Sequence, residues 1–422
     1  MRRESPYPMV PIDEAHRIIA AHAWPLGVEE VDFRATLGRV LAEDVRSGDD
    51  MPDVPKAAVD GYALRAVDGA APRRVIAEVL AGSAGEVAVL PGTAARIMTG
   101  APLPHGADAV IMVEQADERD GVMRPDHAPA PGQGIHAIGQ DIRRGEVVLT
   151  RGTALGPAEI ALLATVGRGR VAVYRRPVVA VLSTGDEVQE PEDPPRPGSI
   201  RDSNRYALMA AAREAGCEAI SLGIARDDAA TQRAAILDGL ARADVLLTSG
   251  GVSMGTRDLI KPLLAELGTV HFGRIAFKPG KPTTFATVVV DGAHDAGRTP
   301  DDAPIQRMVF GLPGYPVSSL VSFEVFVRPA LRRLQGDAAP ERPRVRVTLA
   351  DPIRSSPDRP EYQRAIVAWQ EGRLVARSTG AQGSSRLLSL RGANALLLVP
   401  AGGQTYAPGE ELEALLTGSL AC

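Results

Sequence analysis

The sequence predicts a multidomain α/β-plus-β protein. Its centre is an α/β domain on a doubly wound parallel sheet, accompanied by a β-rich inserted domain and a small C-terminal β domain. Three observations predict this. From Pro177 onward, apolar strand-like runs alternate with helical patterns, the signature of a parallel sheet with covering helices. From Val45 to about Arg144, short β-prone runs alternate with Gly- and Pro-rich turns and long helical patterns are absent. After Gly336 only short alternating strands follow. A chain of 422 residues has room for three or four domains.

Element by element, residues 11–23 read as an amphipathic helix with Ile12, Ala15, Ile18 and Ile19 on one face. A second helix, PAEIALLATVG, opens at Pro157 and stops at Gly167. It resembles the opening segment in character, so 1–45 and 145–176 are expected to form one discontinuous helical and linker domain. The β-rich domain, 46–144, is inserted into it, with runs such as VIAEVL, AARIMTG and DAVIMVE. The α/β domain spans 177–332. VVAVLS is its first strand, apolar throughout and so buried on both faces. NRYALMAAAREAG is a helix, and CEAISLGI, ADVLLTS, VHFGRIAF, TTFATVVV and RMVFGL continue the strand series, with helices at 229–242 and 258–267. Residues 291–304 read as a solvated polar loop, and PVSSLVSFEVFVRPALRRL closes the domain as a helix. RVRVTL, AIVAWQ, RLVARS and ALLLVP are the strands of the last domain, 333–422.

Composition narrows the function. Hydrophobic residues make up 45% and charged residues 23%, which excludes a disordered chain. A net charge of −5 argues against sequence-independent nucleic-acid binding. No apolar run approaches the roughly 18 residues that span a bilayer. The N-terminus has two arginines but no apolar core behind them, unlike a signal peptide. Two cysteines, Cys217 and Cys422, cannot build a disulfide framework, so a reducing cytoplasm is the expected compartment. Among the 47 basic residues only Lys56, Lys261, Lys278 and Lys281 are lysine. Against that arginine background the lysines stand out as compact point charges suited to an oxyanion.

In open α/β sheets, ligands bind beyond the carboxyl ends of the strands. Four loops fall there: Thr184, Gly185, Asp186 and Glu187; the SGGVSMG loop with Ser249, Gly250, Gly251 and Ser253, running to Asp258; KPGKP with Lys278 and Lys281; and Pro313 to Ser318 at a helix start. A Gly-rich loop lets backbone N–H groups approach phosphate oxygens, and serine hydroxyls add donors. A helix start adds a positive dipole end. KPGKP holds two ammonium groups apart across a restricted turn. Asp186, Glu187 and Asp258 set carboxylates beside this basic ground, as a hard divalent cation such as Mg²⁺ bridging acids and phosphate requires. The residues alone therefore point to a pocket for a phosphate-bearing small molecule, with Mg²⁺.

TGDEV, SGGVSMGTRD, KPGKP and GLPGYPVSS in series resemble the molybdopterin molybdotransferase (MoeA) family. PDVPKAAVDGYALR and RIMTGAPLPHGADAVIMVE resemble its second domain, and RPEYQRA and SSRLLSLRGANALLLVP its fourth, so the resemblance covers nearly the whole chain. It implies a homodimer whose active site lies between the α/β domain of one subunit and the β-rich domain of the other. The implied reaction inserts molybdenum from molybdate into adenylylated molybdopterin and releases AMP. Within it, Glu187, Asp227 and Asp258 are similar to the acidic positions that hold metal and nucleotide. Asp60 and Thr99 match positions important for activity, reaching the site from the second subunit. Lys278 and Lys281, with Arg274 where the family often has Lys, would bind molybdate or phosphate. Molybdopterin adenylyltransferase and molybdoenzyme apoproteins are the protein partners this reaction implies.

The chain departs from the family in places. Ala57 and Val59 stand where the family usually has Ser and Met, and Tyr315 stands where it has Asn. His136 stands where an Arg is expected, and a mostly neutral imidazole cannot make a bidentate phosphate fork. Two other readings therefore remain: a non-catalytic pterin-binding or scaffolding relative, and an adenylyltransferase or nucleotide hydrolase on the same α/β fold.

Overall fold

The apolar runs that follow Pro177 collapse into one six-stranded sheet in the computed structural model, which describes residues 7–83, 86–252, 259–290 and 305–421. Strand order is Glu218–Ala225, Val178–Thr184, Val245–Ser249, Ile305–Leu312, Thr284–Val290, Thr269–Phe272. The first four are parallel, and the last two are antiparallel to their neighbours. The sheet is thus mixed, not parallel throughout as the sequence predicts. TTFATVVV and RMVFGL carry the same apolar run in either direction, and only the connection between them decides orientation. The expected strand VHFGRIAF is also shorter, ending at Phe272. The polar loop expected at 291–304 lies outside the described residues.

Seven α-helices are found among the described residues: α1 (Ile12–Ala20), α2 (Pro157–Thr165), α3 (Asn204–Glu214), α4 (Ala229–Arg242), α5 (Ile260–Leu267), α6 (Pro316–Ser322) and α7 (Arg328–Leu334). Strand alternation divides the core in two. Val179 and Val181 face Leu208 and Ala212 of α3 together with α6 and α7. Ala180 and Leu182 face Ile236 and Leu240 of α4 and Leu263 and Leu264 of α5. Each such Val or Leu contributes about 1.5–3 kcal/mol on burial. The long helix expected after Pro316 has a π-helical turn at Phe323–Val327 between α6 and α7. Pro329 supplies the reason, since it has no N–H for the carbonyl four residues back.

Residues 28–41 and 147–174 do come together. Val28–Asp32 pairs with Arg170–Tyr174, and Leu41, Val45, Leu149, Leu163 and Val171 share a core. The α1 segment differs from the expected division and joins the α/β core through Ala15 and Ile19. Backbone bonds hold it there: Val10 N–H donates to Arg274 O (3.0 Å), Ala276 N–H to Val10 O (2.8 Å) and Leu26 N–H to Leu334 O (2.8 Å).

The β-rich domain is built on a six-stranded sheet that includes Gly61–Leu64, Thr93–Ile97 and Ala109–Met112. Gly61 of the DGYA run has a steric reason: a Cβ there would lie 1.8 Å from Ile111 O. The C-terminal strands close into a five-stranded barrel of Arg344–Leu349, Arg373–Ser378, Glu361–Gln370, Ala395–Val399 and Glu411–Leu416. Closure leaves no free sheet edge.

Candidate active site

Three strands of the α/β sheet end side by side at Thr184, Ser249 and Leu312, and their following loops interlock. Gly250 N–H donates to Leu312 O (3.1 Å) and Gly185 N–H to Ala225 O (3.1 Å). Gly250 has φ +94° and Gly251 φ +64°. A Cβ on Gly250 would sit 2.8 Å from Thr184 O, so backbone conformation and close approach both require glycine there. Around these ends lies a pocket lined by Ser183, Thr184, Glu187, Asp202, Asn204, Ser249, Gly250, Gly314 and Pro316, with Ile200 and Arg201 at one wall. Thr184, Ser249 and Ser318 are buried, Pro313 is buried behind Gly314, and Glu187 is exposed beside the opening.

Asn204 and Asp202 are among the lining residues not singled out from sequence. Asn204 Nδ2 donates to Ser249 Oγ (2.7 Å) and Gly314 O (2.8 Å), pinning two loops to the start of α3. Because Ser249 Oγ accepts there, its own proton remains available for a ligand oxygen. Asp202 accepts from Ser183 Oγ (2.9 Å) and from Arg205 Nε (2.8 Å), so its carboxylate is already committed. Their signal was a polar Asp-Ser-Asn just before an apolar helix, which reads equally as a helix cap.

Asp186 and Asp227 come together: Asp227 N–H donates to Asp186 Oδ1 (3.2 Å). Asp228 is the capping residue of α4, accepting from Thr231 N–H (2.8 Å). The hydrogen bonds from Thr231 hold its carboxyl below the usual range. The cap therefore uses Asp228, while half-buried Asp227 accepts from Gln232 Nε2 (3.4 Å). Ser253 and Asp258 lie outside the described residues. Among the described residues no three His, Cys, Asp or Glu side chains gather as a metal cage.

Asp60 and Thr99 form a separate unit in the β-rich domain. Asp60 Oδ1 accepts from both Thr99 N–H (2.7 Å) and Thr99 Oγ1–H (2.8 Å), and both residues are exposed. The backbone N–H of Thr99, then its hydroxyl, lowers the Asp60 pKa. Neither residue is among those lining the pocket of the same chain.

The lysine loop forms a third unit. Ile275 N–H donates to Lys281 O (3.0 Å), closing the turn, and Lys281 is exposed while Arg274 is half-buried. Lys278 is not a free cation. Its Nζ lies 2.9 Å from Glu361 Oε1 in the C-terminal barrel, and that carboxylate is 5% exposed. Lys278 N–H donates to Pro360 O (3.0 Å) and Tyr362 N–H to Lys278 O (2.8 Å), so the α/β domain and the barrel meet in a short bridge. Arg364, fully buried on the same barrel strand, donates through Nε to Ser389 Oγ (3.1 Å) and through Nη2 to Gly383 O (3.3 Å). Its Nη1 and Ser319 Oγ are buried with no hydrogen-bond partner. Burial pushes the Arg364 guanidinium down to about 10, against the pull of Glu361. The 383–385 loop adjoins α6, where Val317 N–H donates to Ser384 O (3.1 Å). Glu361 and Arg364 lie in the RPEYQRA run that resembles the family's fourth domain, a resemblance that gave neither residue a role.

The departures have local explanations. Ala57 is fully buried, and Gly100 N–H donates to its carbonyl (2.8 Å). Val59 packs against the β-rich core. His136 is exposed and directly opposite Lys56 in a two-residue ladder, so a lysine stands beside the position that lacks arginine. Tyr315 is exposed at the start of α6.

Known proteins share this domain order. Residues 10–167 match the MoeA N-terminal region (domains I and II), 180–333 the probable molybdopterin binding domain, and 346–417 the MoeA C-terminal region (domain IV). The molybdopterin molybdenumtransferase of Bacillus subtilis is 35% identical over 96% of this chain and 94% of its own length. The chain belongs to the MoeA family. Gephyrin of Dictyostelium discoideum is 37% identical over 99% of this chain, which spans 64% of gephyrin's length. A molybdopterin biosynthesis MoeA protein from Pyrococcus horikoshii superposes with a TM-score of 0.81 at 30% identity, covering 97% of this chain and all of that one. The inserted β-rich domain, the mixed α/β sheet and the C-terminal barrel are thus MoeA architecture. No helix among the described residues is long and apolar enough to cross a membrane.

Proposed function

We propose that this MoeA-family protein is a molybdopterin molybdenumtransferase of molybdenum cofactor biosynthesis. It takes adenylylated molybdopterin and molybdate, joins molybdenum to the dithiolene sulfurs, and releases AMP. The observation that carries this reading is the pocket in which Thr184, Ser249, Gly250 and Asn204 converge at the carboxyl edge of the sheet. It offers a phosphate-bearing ligand a hydroxyl proton from Ser249 and closely approaching backbone at Gly250 and Gly251.

The site is composite across a homodimer. Asp60 and Thr99 do not line the pocket of their own chain, and an isologous dimer would bring them to the pocket of the other. There the Asp60 carboxylate, kept ionised by two donors from Thr99, orients a donor group of the substrate. Lys278, Lys281 and Arg274 form the molybdate side. Magnesium suits the oxygen donors of Glu187, Asp227 and Asp258, because this cation takes one or two carboxylates plus substrate phosphates and keeps its remaining waters. When bound it supplies positive charge to the departing phosphate. Asp186 holds the Asp227 backbone in place beside it. Substrates from molybdopterin adenylyltransferase and delivery to molybdoenzyme apoproteins place the protein in the cytoplasm.

The test is AMP release from adenylylated molybdopterin with and without molybdate. Molybdate-stimulated release is expected. Tight binding without release indicates a pterin-binding scaffold, and pyrophosphate release from ATP indicates an adenylyltransferase.

A further inference from the structure

Tyr315 is a large aromatic ring left in solvent at the mouth of the pocket. It is 62% exposed, and its neighbours on both sides, Gly314 and Pro316, line the cavity. Its side chain has no hydrogen bond and no ring contact among the described residues, so packing among them does not account for it. The backbone beneath it is nevertheless rigid. Tyr315 O accepts from Ser319 N–H (2.9 Å), Asn204 Nδ2 holds Gly314 O (2.8 Å), and Pro316 fixes φ at the first position of α6. Across the same opening Ile200, 57% exposed, presents a second apolar surface on the pocket wall, next to Arg201. An aromatic side chain has only two rotatable angles, so an exposed one on a fixed base loses little freedom when it covers a ligand.

We propose that Tyr315 is a specificity-determining residue that stacks on a flat heteroaromatic ring of the substrate at the pocket mouth. This rests on the reading of the pocket as the site for adenylylated molybdopterin, a molecule with two such rings, the pterin and the adenine. Ring stacking explains why this position tolerates loss of the family's usual Asn. An amide offers hydrogen bonds, whereas Tyr offers a face. Pterin and adenine both present a π-face, and the two are separated by testing each alone.

The experiment is equilibrium binding of molybdopterin and of AMP to the full-length protein, its Tyr315→Ala variant and its Tyr315→Phe variant, with thermal melting to confirm folding. Tyr315→Ala is expected to weaken one of the two ligands about tenfold, the scale of base–aromatic stacking. Tyr315→Phe should keep the affinity within about twofold, because the face and not the hydroxyl makes the contact. The ligand that responds identifies the stacked ring. Unchanged affinity of Tyr315→Ala for both ligands overturns the proposal, as does a loss in Tyr315→Phe equal to that in Tyr315→Ala. If the unsubstituted protein binds neither ligand, the reading of the pocket itself falls, and the stacking role with it.

Discussion

The contact between Lys278 and Glu361 gives the most informative single perturbation, Glu361→Gln. The substitution keeps the side-chain shape and removes one negative charge from a pair 2.9 Å apart. An exposed ion pair is worth about 0–1 kcal/mol and a fully buried one costs about 3–5 kcal/mol when broken. This pair lies between those limits, with Glu361 5% and Lys278 44% exposed. Gln363 Nε2 also donates to Glu361 Oε2 (3.2 Å), a bond the amide oxygen can keep. We therefore expect a loss of about 2 kcal/mol and a melting temperature lower by a few degrees.

The same change has an opposite effect on anion binding. A carboxylate roughly 6 Å from a bound dianion repels it by about 1 kcal/mol at high effective dielectric, so its removal should lower the half-saturating molybdate concentration about fivefold. Lys278→Gln should raise that concentration, and Lys278→Arg should raise it less, since a planar fork replaces a compact charge. The assay is AMP release against molybdate concentration, with melting curves on the same samples. If Glu361→Gln alters neither the melting temperature nor the molybdate dependence, Lys278 is not shared between a domain bridge and an anion site. If it raises the half-saturating concentration as much as Lys278→Gln does, Glu361 serves to position the lysine, and the repulsion argument is wrong.

Other consequences are equally direct. Thr99→Val removes the hydroxyl bond to Asp60 but keeps the backbone one, so AMP release should fall about tenfold with little change in melting temperature. Because Thr99 lowers the Asp60 pKa, its carboxylate persists to more acidic pH and is lost only as pH falls through that lowered value; Thr99→Val should move the value upward in a carbon-detected NMR titration. Mixing Asp60→Ala with Asp258→Ala chains should restore about a quarter of sites if subunits exchange at random in a twofold dimer, and no recovery would mean the site is not shared. Burial, then the neighbouring His22, lowers the His271 pKa, and burial first does the same for His16. The unfolded chain therefore takes up these protons first, and stability should fall as pH drops through about 6.5. Urea melts at pH 7.5 and 5.5 should show this slope, partly removed by His271→Phe.

Legibility in the sequence followed the range of the interaction. The TGDEV, SGG and GLPGYP loops were readable because strand-end glycines carry local backbone demands, and the structure shows the positive φ at Gly250 and Gly251 that meets them. The strand runs followed from periodicity, which alternating strands preserve, whereas the expected division put α1 in a different domain from the α/β core it joins. Orientation within the sheet was not readable. An apolar strand such as Thr284–Val290 satisfies its neighbours either way, and α1 joined the α/β core through a face that would suit any apolar surface. Asp202 and Asn204 were hidden for a different reason: a polar triplet before a helix has a sufficient local explanation, which masks its reach to Ser183 and Ser249.

Lys278 shows how sequence and structure correct one another. Its rarity in an arginine-rich chain singles it out as a compact point charge, and rarity alone suggests a cation waiting for an anion. The structure instead gives it a partner from a domain more than 80 residues away, a contact no local pattern contains. The two readings are compatible physically. A lysine held at 2.9 Å by a buried carboxylate is a cation fixed in place before any ligand arrives, and fixing it in advance lowers the entropy that ligand binding must overcome. A dianion reaching the loop from the Lys281 and Arg274 side then meets an ordered charge whose partner opposes it by only about 1 kcal/mol. We propose that the C-terminal barrel acts on anion capture in the α/β domain through Glu361.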